Sequence, residues 1–112
     1  MERKLNVGDI LASKYVYGCE TQLYTYYKVV KVLGDGNKVR LQKLRKHIVY
    51  EGLPPYYYDT PRTSFPLNME AEDKTILRSV KYDDGWPVVK TEEYSRSYGV
   101  WDGEPLEEYN LH

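Results

Sequence analysis

Cysteine, histidine and phenylalanine are scarce in this sequence, which holds one Cys, two His and one Phe among 112 residues. A lone cysteine cannot form an intrachain disulfide, so the class of small disulfide-stapled secreted domains is excluded. The histidines, His47 and His112, lie far apart in the chain, and neither has zinc-ligand spacing with Cys19. The sequence therefore predicts no metal site and no cofactor, and it favours a reducing cytoplasm.

An excess of one charge and a long apolar segment are also absent. The formal net charge is −1, so no overall field draws the chain toward nucleic acid. No apolar run approaches the roughly 20 residues of a membrane span, and the N-terminus lacks the apolar region of a signal peptide. The length fits one domain, 1–112, and 41% hydrophobic residues can build its core. We expect a soluble cytoplasmic protein, in a bacterium or in a cell that hosts the gene, which is a monomer or homodimer with no membrane partner.

Tyrosine is the residue in excess, with 13 copies beside two tryptophans. Tyrosines and β-branched residues crowd segment 23–33 and favour a strand. The sequence Gly-Asp-Gly-Asn at 34–37 tolerates the positive φ of a tight hairpin, and alternation at 38–42 predicts the second strand, which continues with a shift of phase. Further strands at 7–11, 73–82 and 86–90 predict a mostly β fold, a small antiparallel barrel or curled sheet of about five strands.

Residues 51–68 contain four prolines, which are incompatible with a regular ladder or a helix interior. This segment is predicted to be a long loop rich in proline and tyrosine, and residues 106–112 a frayed tail. The strand pattern predicts a core of Ile10, Leu11, Tyr27, Val29, Val32, Val39, Leu41, Ile48, Ile76, Val80, Val88 and Trp101.

No set of residues in the sequence matches a catalytic constellation. Cys19 is followed by Glu20, and an acidic neighbour disfavours the reactive thiolate. The glycines of 34–37 lie between two strands and do not open a helix, as a phosphate-binding loop requires. The sequence predicts a protein that is not an enzyme, with a Cys19–His47 pair on neighbouring strands as the enzymatic alternative.

Charge is distributed unevenly along the chain. Residues 28–47 hold seven basic side chains and one acidic one, whereas 92–108 hold six acidic and one basic. On alternating strands the basic residues at 38 and 40 share a face with Gln42, and lysines of the paired strand join them. We name Lys28, Lys31, Lys38, Arg40, Lys43 and Arg45 the basic stripe. It is predicted to contact nucleic-acid phosphates or an acidic protein, and the alternative is an ordinary solvated sheet face.

A second candidate surface is the tyrosine triplet Tyr56, Tyr57 and Tyr58 in the predicted loop. The surrounding prolines stiffen the segment and lower the entropy cost of holding rings outward. Loop tyrosines commonly anchor protein partners, so the triplet is predicted to bind a protein. In the alternative interpretation the rings pin the loop onto the sheet.

Several short motifs occur in a fixed order between residues 7 and 105. They are Gly-Asp-Ile at 8–10, Tyr-Tyr-Lys-Val-Val at 26–30, Leu-Arg-Ser-Val at 77–80 and Trp-Asp-Gly-Glu-Pro at 101–105. This order resembles a group of short phage and prophage proteins, although Tyr-Val-Tyr-Gly at 15–18 replaces an aromatic Trp-Gly-Tyr and Glu104 replaces a usual Lys. The resemblance implies a bacterial mobile element and contributes no catalytic residues.

By analogy with small accessory proteins of such elements, we expect a non-enzymatic phage protein that binds and inhibits a host macromolecule. The first expectation is a host protein such as a defence nuclease, which would make the chain similar to an anti-CRISPR protein in role. The alternative is a nucleic-acid-binding accessory module that uses the basic stripe.

Overall fold

The computed structural model describes residues 4–18, 21–50 and 62–110, which form seven β-strands. The strands are β1 (Ile10–Tyr17), β2 (Thr21–Leu33), β3 (Lys38–Tyr50), β4 (Arg62–Asp83), β5 (Trp86–Glu92), β6 (Ser95–Tyr98) and β7 (Leu106–Asn110). The prediction of a mostly β fold is confirmed, and the seven strands exceed the expected five. In the described ranges no helix has the length and apolarity needed to cross a bilayer.

Six of the strands close into an antiparallel barrel. Their order is β1-β6-β5-β4-β3-β2, and the pairing of β1 with β2 closes the ring. The seventh strand, β7, pairs with the start of β2 and with the start of β4, alongside the barrel wall. Closure pairs strand edges that an open curled sheet would leave unpaired, so the barrel alternative is the one the chain adopts.

The hairpin between β2 and β3 forms at the predicted turn. Gly34, Asp35 and Gly36 all have positive φ, at 57°, 57° and 94°. Glycine adopts this region at little cost, and aspartate is among the residues that tolerate it. Two distant side chains brace the turn: Lys4 Nζ donates to the carbonyl of Asp35 and the Tyr82 hydroxyl to that of Gly36, each at 3.1 Å. The turn therefore carries both local and tertiary support.

The barrel interior is filled by apolar side chains from most of the strands and from the N-terminal segment. This core consists of Leu5, Leu11, Tyr27, Val29, Val39, Leu41, Val80 and Val89. Six of the predicted core residues are among them, and Val32 and Ile76 pack against the cluster while partly buried. In β5 the buried valine is Val89 and not the predicted Val88, because Pro87, Val89 and Thr91 are the alternating residues that face inward.

Two segments predicted to be irregular belong to strands. β4 begins at Arg62, so the loop prediction is wrong for residues 62–68; Pro66 lies opposite Lys46 where the register shifts, a place where a strand tolerates proline. The prediction of a frayed tail is wrong for 106–110, because β7 pairs with a strand on each side. Residues 51–61, 111 and 112 lie outside the described part of the chain.

The shift of phase in β3 has a tertiary cause. Val39 and Leu41 are buried inside the barrel, but beyond Gln42 the buried side chain is Leu44, on the other side of the strand. The partner strand β4 carries extra residues at this point, and the Gln42 side-chain amide donates to the backbone carbonyl of Glu72 across the irregularity. The strand thereby leaves the barrel and covers a second, smaller core with its opposite face.

Candidate binding surfaces

The second core is polar and is built around Glu108 of β7 and Lys46 of β3. Glu108 is 0% exposed, and Lys46 Nζ donates to its two carboxylate oxygens at 2.9 and 3.0 Å. The same ammonium donates to the backbone carbonyl of Tyr24 at 2.7 Å. A buried carboxylate is costly unless it is paired and hydrogen-bonded, so this contact makes β7 part of the folded domain. Nothing in the local sequence couples the two residues.

Tyr26 completes this polar core with a buried hydroxyl. The hydroxyl donates to the Ser64 carbonyl at 2.9 Å and lies 3.0 Å from Ser64 Oγ, and the ring meets Trp101 edge to face at 5.9 Å. The pKa of Tyr26 is raised to about 12, chiefly by burial; the hydrogen bond to Ser64 opposes this rise, and the carboxylate of Glu108 adds to it. The phenol is therefore held neutral and serves packing.

The raised pKa of Tyr26 predicts a loss of stability at alkaline pH. The pKa of Tyr26 in the folded state, about 12, exceeds the ordinary value of 10.0. The contribution of its neutral phenol to the free energy of unfolding is therefore complete below pH 10 and is lost as pH rises toward 12. Such a phenol lowers the free energy of unfolding by up to about 1.4 kcal/mol per pH unit in that window.

In urea melts Tyr26→Phe should cost about 1 kcal/mol at pH 7 for the lost hydroxyl contacts and should flatten the decline between pH 10 and 12. Tyr27, whose pKa is raised by burial and by the carboxylate of Glu92, keeps the remaining slope. A variant that declines as steeply as the parent contradicts the assignment to Tyr26.

Four of the six residues of the basic stripe share one outward surface on β2 and β3. Lys28 lies opposite Gln42 and Lys31 opposite Arg40, and Lys38 is two residues before Arg40 on the same side of its strand. Lys31 and Lys38 are exposed, whereas Lys28 and Arg40 are half-buried. The structure therefore brings together Lys28, Lys31, Lys38 and Arg40, which we name the β2–β3 face.

Lys43 and Arg45 do not belong to the β2–β3 face. Lys43 lies opposite the inward-facing Tyr27, and its ammonium is 3.7 Å from the carboxylate of Glu72. Arg45 is exposed on the part of β3 that extends beyond the barrel. These two residues are separated from the other four because alternation along β3 places odd and even positions on different sides.

Lys43 instead lines a cavity of about 190 Å³ at one end of the barrel. The polar groups around this cavity contact one another: the Tyr27 hydroxyl donates to Glu92 Oε1 at 3.2 Å, and Arg78 Nε donates to the Thr91 carbonyl at 2.9 Å. These contacts tie the residues of the barrel end to one another.

The remaining predicted site residues fall outside the described residues or apart from each other. Tyr56, Tyr57 and Tyr58 lie in 51–61, and Cys19 and His112 are likewise not described, so the predictions made for them stay predictions. His47 is exposed on β3 with its ring 5.2 Å from that of Phe65. Within 4–18, 21–50 and 62–110, no three His, Cys, Asp or Glu side chains are grouped as a metal site requires.

The far wall of the barrel carries a second basic surface that sequence reasoning missed. Sheet register places Lys14 of β1 opposite Arg96 of β6, and Arg96 opposite Lys90 of β5. All three side chains are exposed, and Tyr24 of β2 lies opposite Lys14 on its other side. We name this surface the β1–β6–β5 face. Its residues are scattered over the chain, so a local charge count does not detect it.

Charge is segregated by position in the described fold. Every strand of the barrel carries an outward cation: Lys14, Lys28, Lys31, Lys38, Arg40, Lys81, Lys90 and Arg96. The acidic residues of the described ranges lie instead in turns and loops, at strand ends, in the irregular stretch of β4 at 70–73, or in β7. The net charge of −1 therefore conceals a barrel wall that is basic on its outside.

The chain shows no similarity to known proteins from which a role could be transferred. No protein family model matches it, and neither a curated protein nor a solved structure does.

Proposed function

We propose that this chain is a non-enzymatic accessory protein of a bacterial mobile element that binds a host macromolecule and blocks it. The observation that carries the proposal is the outward placement of the cations and of several tyrosines on a barrel whose interior is filled. The core side chains inside the barrel, such as Leu11, Val29 and Leu41, are 0% exposed, whereas Tyr94 and Tyr98 are largely exposed. Exposed aromatic rings beside basic side chains are typical of surfaces that contact macromolecules.

A host protein is the first partner we propose. Tyrosine supplies apolar area and a hydrogen-bonding hydroxyl together, and it is enriched among the residues that carry binding energy at protein interfaces. The resemblance to phage and prophage proteins favours a nuclease of a bacterial defence system as the target. A tagged chain expressed in bacteria with such a system should retain one protein through purification at several salt concentrations, and it should raise phage plaque counts.

Nucleic acid is the second candidate partner, and the β2–β3 face favours it. Its four cations are outward and adjacent across a ladder, as contacts to successive phosphates require. If all four contact phosphates, log affinity should fall with log salt at a slope of about −3 to −4. A flat salt dependence contradicts this candidate.

When the partner is a protein, substitutions show whether the tyrosine triplet or the basic stripe contacts it. Tyr57→Ala is expected to weaken binding at least about tenfold, since truncating a buried aromatic anchor typically costs about 2 kcal/mol. Lys43→Ala should change affinity little, because its charge is engaged by Glu72 at the barrel end. Binding is measured by calorimetry, with a thermal melt to confirm that both variants fold. A larger loss for Lys43→Ala would place the contact on the basic side chains.

A further inference from the structure

We propose that the β1–β6–β5 face binds single-stranded nucleic acid. The inference goes beyond the proposed function, because it assigns a site on a different wall of the barrel from the basic stripe and does not require a host protein. The proposed site consists of a row of cations from three neighbouring strands and an aromatic groove beside that row. The residues are Lys14, Lys90 and Arg96 for the row and Tyr24, Tyr98 and Trp101 for the groove.

The cation row is a repulsive arrangement in the free protein. Lys14, Arg96 and Lys90 occupy directly opposed positions, so the spacing of strands places their three Cα atoms within about 10 Å. Like charges directly opposite each other destabilise a sheet. Among the described residues no carboxylate lies within ion-pairing distance of the three. A polyanion laid across the strands would neutralise all of them at once.

The groove beside the row is lined by aromatic rings, of which Tyr24 and Trp101 contact other rings of the fold. It measures about 230 Å³, and its walls include Lys14, Arg96 and Tyr98, the last 64% exposed. Trp101 is fixed by a hydrogen bond from Nε1 to the Glu104 carbonyl at 2.8 Å and by its edge contact with Tyr26. Rings fixed in advance lose little entropy when a nucleobase stacks on them.

Stacking on the rings of this groove favours a single strand over a duplex. Bases in a duplex are stacked and paired, and their faces reach an aromatic side chain only after extrusion. Phosphates on either side of an inserted base would meet the cation row, because Lys14 and Arg96 belong to both features.

Asp102 at the groove edge offers a polar contact to a nucleobase. One oxygen of its carboxylate accepts the Glu104 N–H at 2.9 Å, which holds the carboxylate at the edge. The amino group of a base can donate a hydrogen bond to the same carboxylate.

The test is fluorescence anisotropy of the full chain with a labelled single-stranded DNA of about 12 nucleotides, a length within the range that single domains occupy. Binding is expected at low salt, with a log–log salt slope near −2 for the three cations of the row. The double substitution Lys14→Ala and Arg96→Ala should reduce the magnitude of that slope by about 1.4. The matched pair Lys31→Ala and Arg40→Ala on the β2–β3 face should leave it unchanged.

Stacking is tested separately with Tyr98→Ala, which should weaken binding about fivefold or more, and with Tyr98→Phe, which should retain affinity. Tyr17→Ala is the matched control, because Tyr17 is similarly exposed at 61% and lies outside the groove. Circular dichroism melts of every variant separate lost affinity from lost structure.

Several results would overturn the inference. They are no binding of the single strand at low salt, equal binding of a duplex of the same sequence, equal competition by polyglutamate, or a greater loss from the Lys31 and Arg40 pair. Any of these outcomes leaves the host-protein proposal standing, because capture of a host protein and protection of phage are measured independently.

Discussion

Lys46→Met is expected to lower the free energy of unfolding by about 3–5 kcal/mol, because it leaves the fully buried carboxylate of Glu108 without its partner. Methionine keeps the length and the apolar stem of lysine, so the change removes the ammonium and little packing. The substitution removes two hydrogen bonds from Lys46 to Glu108 and one to the carbonyl of Tyr24. Urea denaturation at pH 7, followed by circular dichroism, measures the effect.

A double-mutant cycle tests whether the loss comes from the unpaired carboxylate. Combining Lys46→Met with Glu108→Leu should recover most of the stability, since an apolar pair often replaces a buried ion pair at no net cost. Glu108→Leu alone should cost less than Lys46→Met, because the Lys46 side chain is 28% exposed and its ammonium can reach water. If Lys46→Met stays within about 1 kcal/mol of the parent, Glu108 does not depend on Lys46 in the way described.

Leu41→Ala is the second change with a large expected effect, a loss of about 2–5 kcal/mol. Leu41 of β3 is 0% exposed and lies opposite Val29 of β2 and Ile76 of β4. Removing its branched end forfeits buried apolar contacts and leaves a cavity that a closed barrel is poorly able to collapse. Thermal and urea unfolding of the variant measure the loss.

Leu77→Ala is the matched control for Leu41→Ala. Leu77 lies on the adjacent strand one ladder position away, opposite Arg40, and it is 42% exposed on the outside of the wall. The same chemical change should therefore cost less than about 1 kcal/mol. Equal losses for the two leucines would mean that inside and outside are assigned wrongly in β3 and β4.

Local features of the sequence were enough to predict the best-defined part of the fold. The hairpin between β2 and β3 depends on residues such as Gly34 and Gly36 that tolerate positive φ, and that tolerance is a property of each residue. Val39 and Leu41 alternate with polar neighbours, and a period of two assigns them to the interior of whatever sheet forms. The outward position of Arg40 followed from the same rule, whereas Lys31 faces outward because the register shifts between Val29 and Lys31.

Proline and charge misled the prediction where tertiary contacts outweigh local preference. Pro66 favours a loop by local preference, yet it lies in β4 at a register shift. Residues 106–112 are predicted to be a frayed tail, but Glu108 is buried against Lys46. Local chemistry cannot detect such a pair, because its benefit appears only when β7 and β3 already lie together.

Composition, turn chemistry and period-two patterning therefore determined the β class, the main hairpin and much of the core of this protein, since each is encoded within a few neighbouring residues. Barrel closure, the switch of the buried face at Gln42 and the β1–β6–β5 face were decided by the tertiary structure. Lys14 and Arg96 lie near opposite ends of the chain, and each has an ordinary sequence neighbourhood. They become partners only because closing the ring places β1 against β6 in one register, which packing of the whole interior selects.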